Sequence, residues 1–233
     1  TEGFHSVVDS TNQLLLLHGQ RRSQRPPDDL HPFGYGRELY FWAFVVALMI
    51  FATGAGFSLY EGVLHMLAPE PMENPAINYA VLGAAFLMEG GSWLVALRGF
   101  AAEKGDTGWW AAVVRSKDPR TFIVLFEDSA AMAGLAFAAI GIFLAQATGD
   151  PRWDGAASIA IGLLLAGVAW LLARESKALL IGERADPALI AAVRDAVERR
   201  REVTGVNEVL TIHLAPESIF VALSVDFVDS VAV

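Results

Sequence analysis

Long apolar runs dominate the first 185 residues, and several reach the ~20 residues that a helix needs to cross a bilayer. The predicted spans are residues 3–20, 38–64, 76–98, 121–146 and 154–174. Four of them contain a long stretch with little or no charge, whereas the first carries His5, Asp9 and His18 among its apolar positions. The pattern predicts a mainly α membrane protein, a polytopic bundle of transmembrane helices.

The pattern changes after residue 185. Asp186 before Pro187 is typical of a helix start, and apolar residues at helical spacing continue to Val203. Across residues 210–227 apolar and polar positions alternate on both sides of a turn at 215–218, which predicts a β-hairpin. The sequence therefore divides into a transmembrane domain, 1–185, and a small α/β domain, 186–233.

The loops predict an orientation, because Lys and Arg are retained on the cytoplasmic side of a membrane. These residues concentrate between the first and second spans, between the third and fourth, and after the last, while the alternate loops hold only Arg152. We expect a cytoplasmic C-terminal domain and a bacterial inner (cytoplasmic) membrane. The chain starts at Thr1 and stops directly after a strand pattern, so we expect an incomplete sequence that lacks part of the C-terminal domain.

Composition supports the membrane assignment and narrows the chemistry. Hydrophobic residues make up 54% of the chain, charged residues 18%, and mean hydropathy is +0.43. The net charge of −9 excludes a basic surface for nucleic acid. The absence of cysteine leaves histidine, carboxylate and neutral oxygen as metal ligands. The sequence contains no zinc-protease, serine-hydrolase or phosphate-binding loop motif, so we expect no enzyme, no bound cofactor and no ATP-driven pump.

His5 and Asp9 are the first candidate site, because they share one face of the first predicted span at i, i+4 spacing. An acid at the centre of a span costs about 2.5 to 3.5 kcal/mol on insertion scales, so it requires a partner or an aqueous cavity. Two such side chains can serve as ligands of one ion. The alternative is a buried hydrogen bond that only joins helices.

Glu127 and Asp128 form the second candidate site, after the apolar run 122–126 of the fourth predicted span. Adjacent helical residues point about 100° apart, so both cannot aim at one ion. The alternative is an interfacial position in which the two acids face water at a helix start.

Three other polar residues have open roles. Glu89 is compatible with a metal ligand, a proton carrier or a hydrogen bond between helices, and His65 is expected to pair with Glu61 at the membrane interface. His213 allows metal binding, although a strand histidine is usually exposed.

Three sequence elements resemble the cation diffusion facilitator family of transporters. They are His5-Ser6-Val7-Val8-Asp9, His31-Pro32-Phe33-Gly34-Tyr35-Gly36-Arg37-Glu38, and Asp154-Gly155-Ala156-Ala157-Ser158-Ile159. The resemblance implies that the spans are the second to sixth of a six-helix fold, followed by a ferredoxin-like cytoplasmic domain. It also implies a homodimer that exports divalent metal in exchange for protons.

The resemblance implies a metal site made of His5 and Asp9 with residues of the fifth family helix. Members usually carry His or Asp four residues before an Asp in that helix, whereas Val124 stands four before Asp128 here. We take Asp128 as the direct ligand, and Glu127 as a ligand of longer reach, through water, or as a proton acceptor. A Glu-Asp pair at this place resembles the branch that includes an animal mitochondrial zinc transporter.

The predicted ligands also indicate the metal. One imidazole with two or three carboxylates suits Zn²⁺, Mn²⁺, Fe²⁺ or Co²⁺, and Zn²⁺ is our first expectation. Because the ligands must be deprotonated, metal binding releases protons, which gives a physical basis for antiport. The alternative function is a metal-binding membrane sensor or scaffold that does not transport. A channel is disfavoured, because a closed site with several ligands holds an ion too tightly for rapid conduction.

Overall fold

The computed structural model describes residues 2–69 and 75–229, with side chains described from Ser10 onward in the first helix. The helices of the transmembrane part are α1 (Glu2–Ser23), α2 (Glu38–Met49), α3 (Gly56–Leu67), α4 (Pro75–Lys104), α5 (Trp109–Arg115), α6 (Pro119–Thr148) and α7 (Arg152–Ile181). A π-helical segment, Ile50–Ala55, joins α2 to α3. The C-terminal part consists of α8 (Pro187–Glu198), β1 (Val203–Ala215) and β2 (Ser218–Phe227).

Four helices are long and apolar enough to cross a membrane, among the described residues. They are Glu38–Leu67, Ala76–Ala102, Pro119–Thr148 and Arg152–Ile181. The protein is thus a multi-pass membrane protein, as the sequence predicted. The more polar α1 is helical across its predicted span, and its crossing of the membrane stays a prediction.

Local sequence explains where α6 and α8 begin. Asp118 accepts a hydrogen bond from the Arg120 backbone amide, and Asp186 does the same for Ala188. In both helices a proline follows the capping aspartate, at the first helical position, where a missing N–H costs nothing. Gly149 ends α6 with a φ of 71°, a conformation that glycine adopts without strain.

Helix α7 holds the bundle together, because it packs against α2, α3, α6 and the π-helical segment. Helix α4 packs on α6, and α1 packs on α2. Fully buried side chains of this core include Tyr40, Phe100, Phe122, Ile123 and Leu172. Other large apolar side chains point outward, among them Leu87 and Val95 on α4 and Trp170 on α7. A surface this apolar is the one that a lipid environment requires.

Glycines set the close approach of α3 to α7. A Cβ added to Gly62 would lie 2.8 Å from both the backbone nitrogen and Cγ1 of Ile159. A Cβ added to Gly162 would lie 2.6 Å from Cγ of Leu59. The two helices meet backbone to backbone, as small residues allow in membranes.

The C-terminal hairpin forms as predicted, with a turn at Ala215–Ser218 and antiparallel pairing from Val203↔Phe227 to Ala215↔Ser218. The predicted continuation of α8 to Val203 was wrong, since the helix ends at Glu198 and β1 begins at Val203. Val203 and Thr204 are β-branched, which favours a strand. Val203 pairs with Phe227 of β2, and the Thr204 hydroxyl donates to the Asp226 carbonyl oxygen, so contacts with β2 outweigh the apolar spacing. Together with the helices, the hairpin agrees with the predicted membrane bundle and small ferredoxin-like α/β domain.

The loop between α1 and α2 packs on this hairpin. A Cβ at Gly36 would collide with the carbonyl oxygen of Leu214, and the Phe33 and Phe220 rings meet edge to face with centroids 5.3 Å apart. Within the loop, the Tyr35 hydroxyl donates to Asp28 Oδ2 at 2.6 Å. This hydrogen bond, aided by the His31 backbone amide, lowers the pKa of Asp28. The glycine-rich element therefore has a structural role between membrane helices and hairpin.

Candidate metal site

Asp128 lies in the interior of the bundle, on α6. Asp128 is 7% exposed, and its Oδ2 accepts a hydrogen bond of 2.9 Å from the Ser92 hydroxyl of α4. An interfacial aspartate facing water would be far more exposed, so the alternative interpretation does not describe Asp128. A buried carboxylate requires compensation by hydrogen bonds, by an opposite charge or by an ion.

A second hydroxyl joins the same two helices next to this carboxylate. The Trp93 indole Nε1 of α4 donates to Ser129 Oγ of α6 at 2.9 Å. Ser129 in turn donates to the Leu125 carbonyl oxygen at 2.6 Å within α6. The sequence analysis predicted no role for Ser92 or Trp93. The one sequence feature that pointed to them was their position directly after Gly90 and Gly91. These contacts hold α6 at a fixed rotation against α4.

Glu127 contacts a different helix. Its Oε1 accepts a hydrogen bond of 2.8 Å from the Asn12 side-chain amide of α1, which stands 115 residues away in the sequence. Asn12 is fully buried. The two neighbouring acids therefore diverge as expected, with Asp128 toward α4 and Glu127 toward α1. Asn12 was also missed, although it follows Asp9 at i+3 on the same helix.

His5 and Asp9 lie in α1, where the helical backbone keeps the predicted i, i+4 relation. Their side chains lie outside the described part of the chain. The side chains that are described form no group of three or more His, Asp or Glu able to hold a metal ion. The hydrogen bond between Asn12 and Glu127 does bring α1, the helix of His5 and Asp9, against α6.

Comparison with known proteins relates this arrangement to a family. Residues 1–181 match the cation efflux transmembrane domain. The chain belongs to the cation efflux family. It is 35% identical to metal tolerance protein C4 of Arabidopsis thaliana, over 97% of this chain and 50% of that protein. It is 33% identical to the mitochondrial proton-coupled zinc antiporter SLC30A9 of Homo sapiens, over 97% of this chain and 40% of that protein.

A more distant relative is the cation-efflux pump FieF of Klebsiella pneumoniae, 25% identical over 91% of this chain and 69% of that protein. The chain spans half or less of the length of the plant and human relatives. These similarities confirm the family predicted from the sequence, including its branch with the animal mitochondrial zinc transporter. The human and bacterial relatives carry the names of an antiporter and an efflux pump, and the plant relative that of a metal tolerance protein.

The C-terminal end of α3 carries a polar contact that differs from expectation. His65 Nδ1 lies 3.0 Å from Asp154 Oδ2, so His65 pairs with a residue of α7 and not with Glu61 one turn away. Both side chains are about one third exposed. Helix packing brings α3 and α7 close enough for this pair, which outweighs the local i, i+4 spacing. The pair joins the C-terminal end of α3 to the N-terminal end of α7.

His213 in β1 is buried, and the expectation of an exposed strand histidine was wrong. Burial lowers the pKa of its imidazole, nearby Lys117 lowers it further, and Glu183 opposes that effect. Lys117 forms an ion pair with Glu183, and the Glu183 carbonyl accepts from the His213 backbone amide at 2.9 Å. The hairpin thus folds His213 against the segment that follows α7.

Proposed function

We propose that this cation efflux protein is a secondary transporter that exports Zn²⁺ from the cytoplasm in exchange for protons. The observation that carries the proposal is Asp128, a buried carboxylate between apolar helices of a protein whose family is one of cation efflux. The names of the plant and human relatives, a metal tolerance protein and a zinc antiporter, support metal transport and zinc as substrate.

The proposed substrate site consists of His5, Asp9 and Asp128, with Glu127 at longer reach. An imidazole and carboxylates suit Zn²⁺ and its neighbours Mn²⁺, Fe²⁺ and Co²⁺. Zinc requires neutral imidazole and ionised carboxylate, so protons and metal compete for the same atoms. A proton gradient then expels metal at the side where the site opens to the lower pH, without ATP.

We further propose that the protein works as a homodimer in a bacterial inner membrane, with residues 186–233 as a cytoplasmic domain. The loop charges support this orientation. The chain has no cysteine, so single introduced cysteines test it directly. Cysteines placed at Arg25, Asp106 and Glu208 should label from the cytoplasmic side alone. Labelling of a cysteine at Glu73 from that side would contradict the orientation.

The test of transport uses the full-length protein reconstituted into vesicles with an interior zinc indicator. An imposed pH gradient should drive saturable zinc uptake, and Asp9→Ala and Asp128→Asn should both abolish it while the dimer stays folded. Asp106→Asn is the matched control, because Asp106 is exposed in the loop after α4 and should keep full flux. Glu127→Gln should chiefly change the pH dependence of flux.

Three results would contradict the proposal. Zinc binding without flux in wild-type vesicles would favour the sensor or scaffold. Flux that ignores the pH gradient would remove the proton from the mechanism. Normal flux in Asp128→Asn would place the substrate site elsewhere.

A further inference from the structure

Asn12 on α1 has an unusual hydrogen-bonding state. Its side chain is fully buried, and its Nδ2 donates to Glu127 Oε1 at 2.8 Å. Its Oδ1 is equally buried, and no donor in the described part of the protein lies within hydrogen-bond distance. Buried polar atoms almost always have a partner, and an exception requires a specific explanation. A ligand from outside the chain is one such explanation.

The position of Asn12 indicates which ligand. On α1 it follows His5 at i+7 and Asp9 at i+3, so the three residues fall on one helical face. Through Glu127 it reaches α6 at the residue next to Asp128. The Asn12 amide therefore shares a helix face with the proposed α1 ligands and contacts the α6 residue next to Asp128. An amide oxygen is a neutral, hard ligand suited to a divalent cation.

We propose that Asn12 Oδ1 binds the transported cation directly, as the fourth ligand beside His5, Asp9 and Asp128. This inference rests on the proposed transport site. Family members usually carry a His or Asp ligand four residues before the Asp of this helix, where this chain has Val124. In the proposed set Asn12 takes the place of that missing ligand. In this arrangement Asn12 Nδ2 keeps its hydrogen bond to Glu127, and Glu127 stays at the longer reach proposed for it. A neutral oxygen also adds affinity without adding a charge to a site inside the membrane.

The competing explanation is that Asn12 only positions Glu127. Variants made in a Glu127→Ala background separate the two roles, because that background has no carboxylate left to hold. Zinc affinity is measured by calorimetry on the purified full-length dimer. We expect Glu127→Ala alone to bind zinc, and Glu127→Ala with Asn12→Leu to bind at least about tenfold more weakly. Glu127→Ala with Asn12→Asp keeps an oxygen and should bind as well as the background or better.

The control variant is Gln13→Leu, which removes an amide from the next, exposed position of α1 and should not change zinc affinity. Co²⁺ gives a second measurement, since its visible absorption reports the number and type of ligands. The cobalt spectrum should change with Asn12→Leu and persist with Gln13→Leu. A purely structural role of Asn12 would alter occupancy and leave the spectrum of the bound fraction unchanged.

Several outcomes would overturn the inference. Equal zinc affinity with and without Asn12→Leu in the Glu127→Ala background would show that Asn12 acts through Glu127. Complete loss of zinc binding in Glu127→Ala alone would make Glu127 the direct ligand. If Asn12→Leu does not fold, Asn12→Ala in the same background takes its place, and equal zinc affinity with and without it would have the same meaning. Wild-type protein that neither binds nor transports zinc would refute the proposed function itself, whereas normal wild-type flux with unaffected Asn12 variants would refute only this inference.

Discussion

Loss of the Ser92 hydroxyl should weaken zinc binding more than its effect on the stability of the bundle explains. Ser92 Oγ donates to Asp128 Oδ2 at 2.9 Å, and Asp128 is only 7% exposed, so water does not readily replace the donor. Hydrogen bonds to charged groups contribute about 1.5–3 kcal/mol. Each 1.4 kcal/mol changes an equilibrium constant about tenfold. Loss of the whole energy of this hydrogen bond would therefore lower zinc affinity by about ten- to a hundredfold.

The expected effect of Ser92→Ala lies at the lower end of this range, at about tenfold. Only the part of the hydrogen-bond energy that differs between the metal-free and metal-bound states changes the affinity. Partners that orient a ligand typically contribute ten- to a hundredfold to metal affinity, which agrees with this magnitude. Ser92→Thr keeps the hydroxyl and should restore most of the affinity.

Ser129→Ala is the matched control. It also removes a hydroxyl between α4 and α6, the one that accepts from Trp93 Nε1 at 2.9 Å and donates to the Leu125 carbonyl oxygen. Zinc titration calorimetry and thermal unfolding in detergent should show equal stability losses and unequal affinity losses for the two variants. Unchanged zinc affinity in Ser92→Ala, or an equal affinity loss in Ser129→Ala, would refute the reasoning.

Two further predictions concern packing and pH. Gly62→Ala places a Cβ 2.8 Å from the Ile159 backbone nitrogen, and this crowding should lower the free energy of unfolding by about 1–3 kcal/mol. The higher helix propensity of alanine offsets up to about 1 kcal/mol of that loss. Gly91→Ala meets nothing within 4 Å and should be neutral or stabilising, so equal thermal stability of the two variants would contradict the close packing. Burial lowers the pKa of His213, so its contribution to stability is present above the unfolded value of about 6.5 and is lost as pH falls through the lower folded pKa. His213→Leu should therefore reduce the loss of thermal stability on acidification from about pH 7.5, and an unchanged pH profile would disprove this role.

The positions of the helices could be predicted because long apolar stretches, broken by proline and charge, have few alternative structures. The interior position of Asp128 followed from the apolar run before it. The hairpin followed from strict alternation around one turn. In each case the signal is local and repeated over many residues, so an error at one position does not alter the result.

The contacts of the candidate site could not be predicted in the same way. Asn12 and Ser92 are uncharged and do not interrupt an apolar pattern, and their roles depend on which helices become neighbours. The pairing of His65 with Asp154 depends on the approach of α3 to α7, whereas the sequence shows only that Glu61 is four residues away. The end of α8 was misplaced because its apolar spacing runs on into residues that pair with a strand.

The π-helical segment Ile50–Ala55 determines the direction in which the C-terminal half of its span, α3, faces. Deleting one residue there would restore a regular α-helix and turn α3 by about 100° relative to α2. Gly62 would rotate away from Ile159, and His65 away from Asp154. Helix α2 would keep its contacts with α1 and α7. A single inserted residue thus changes the face that one continuous helix presents along its length, and its loss would separate α3 from α7 while the contacts of α2 stay intact.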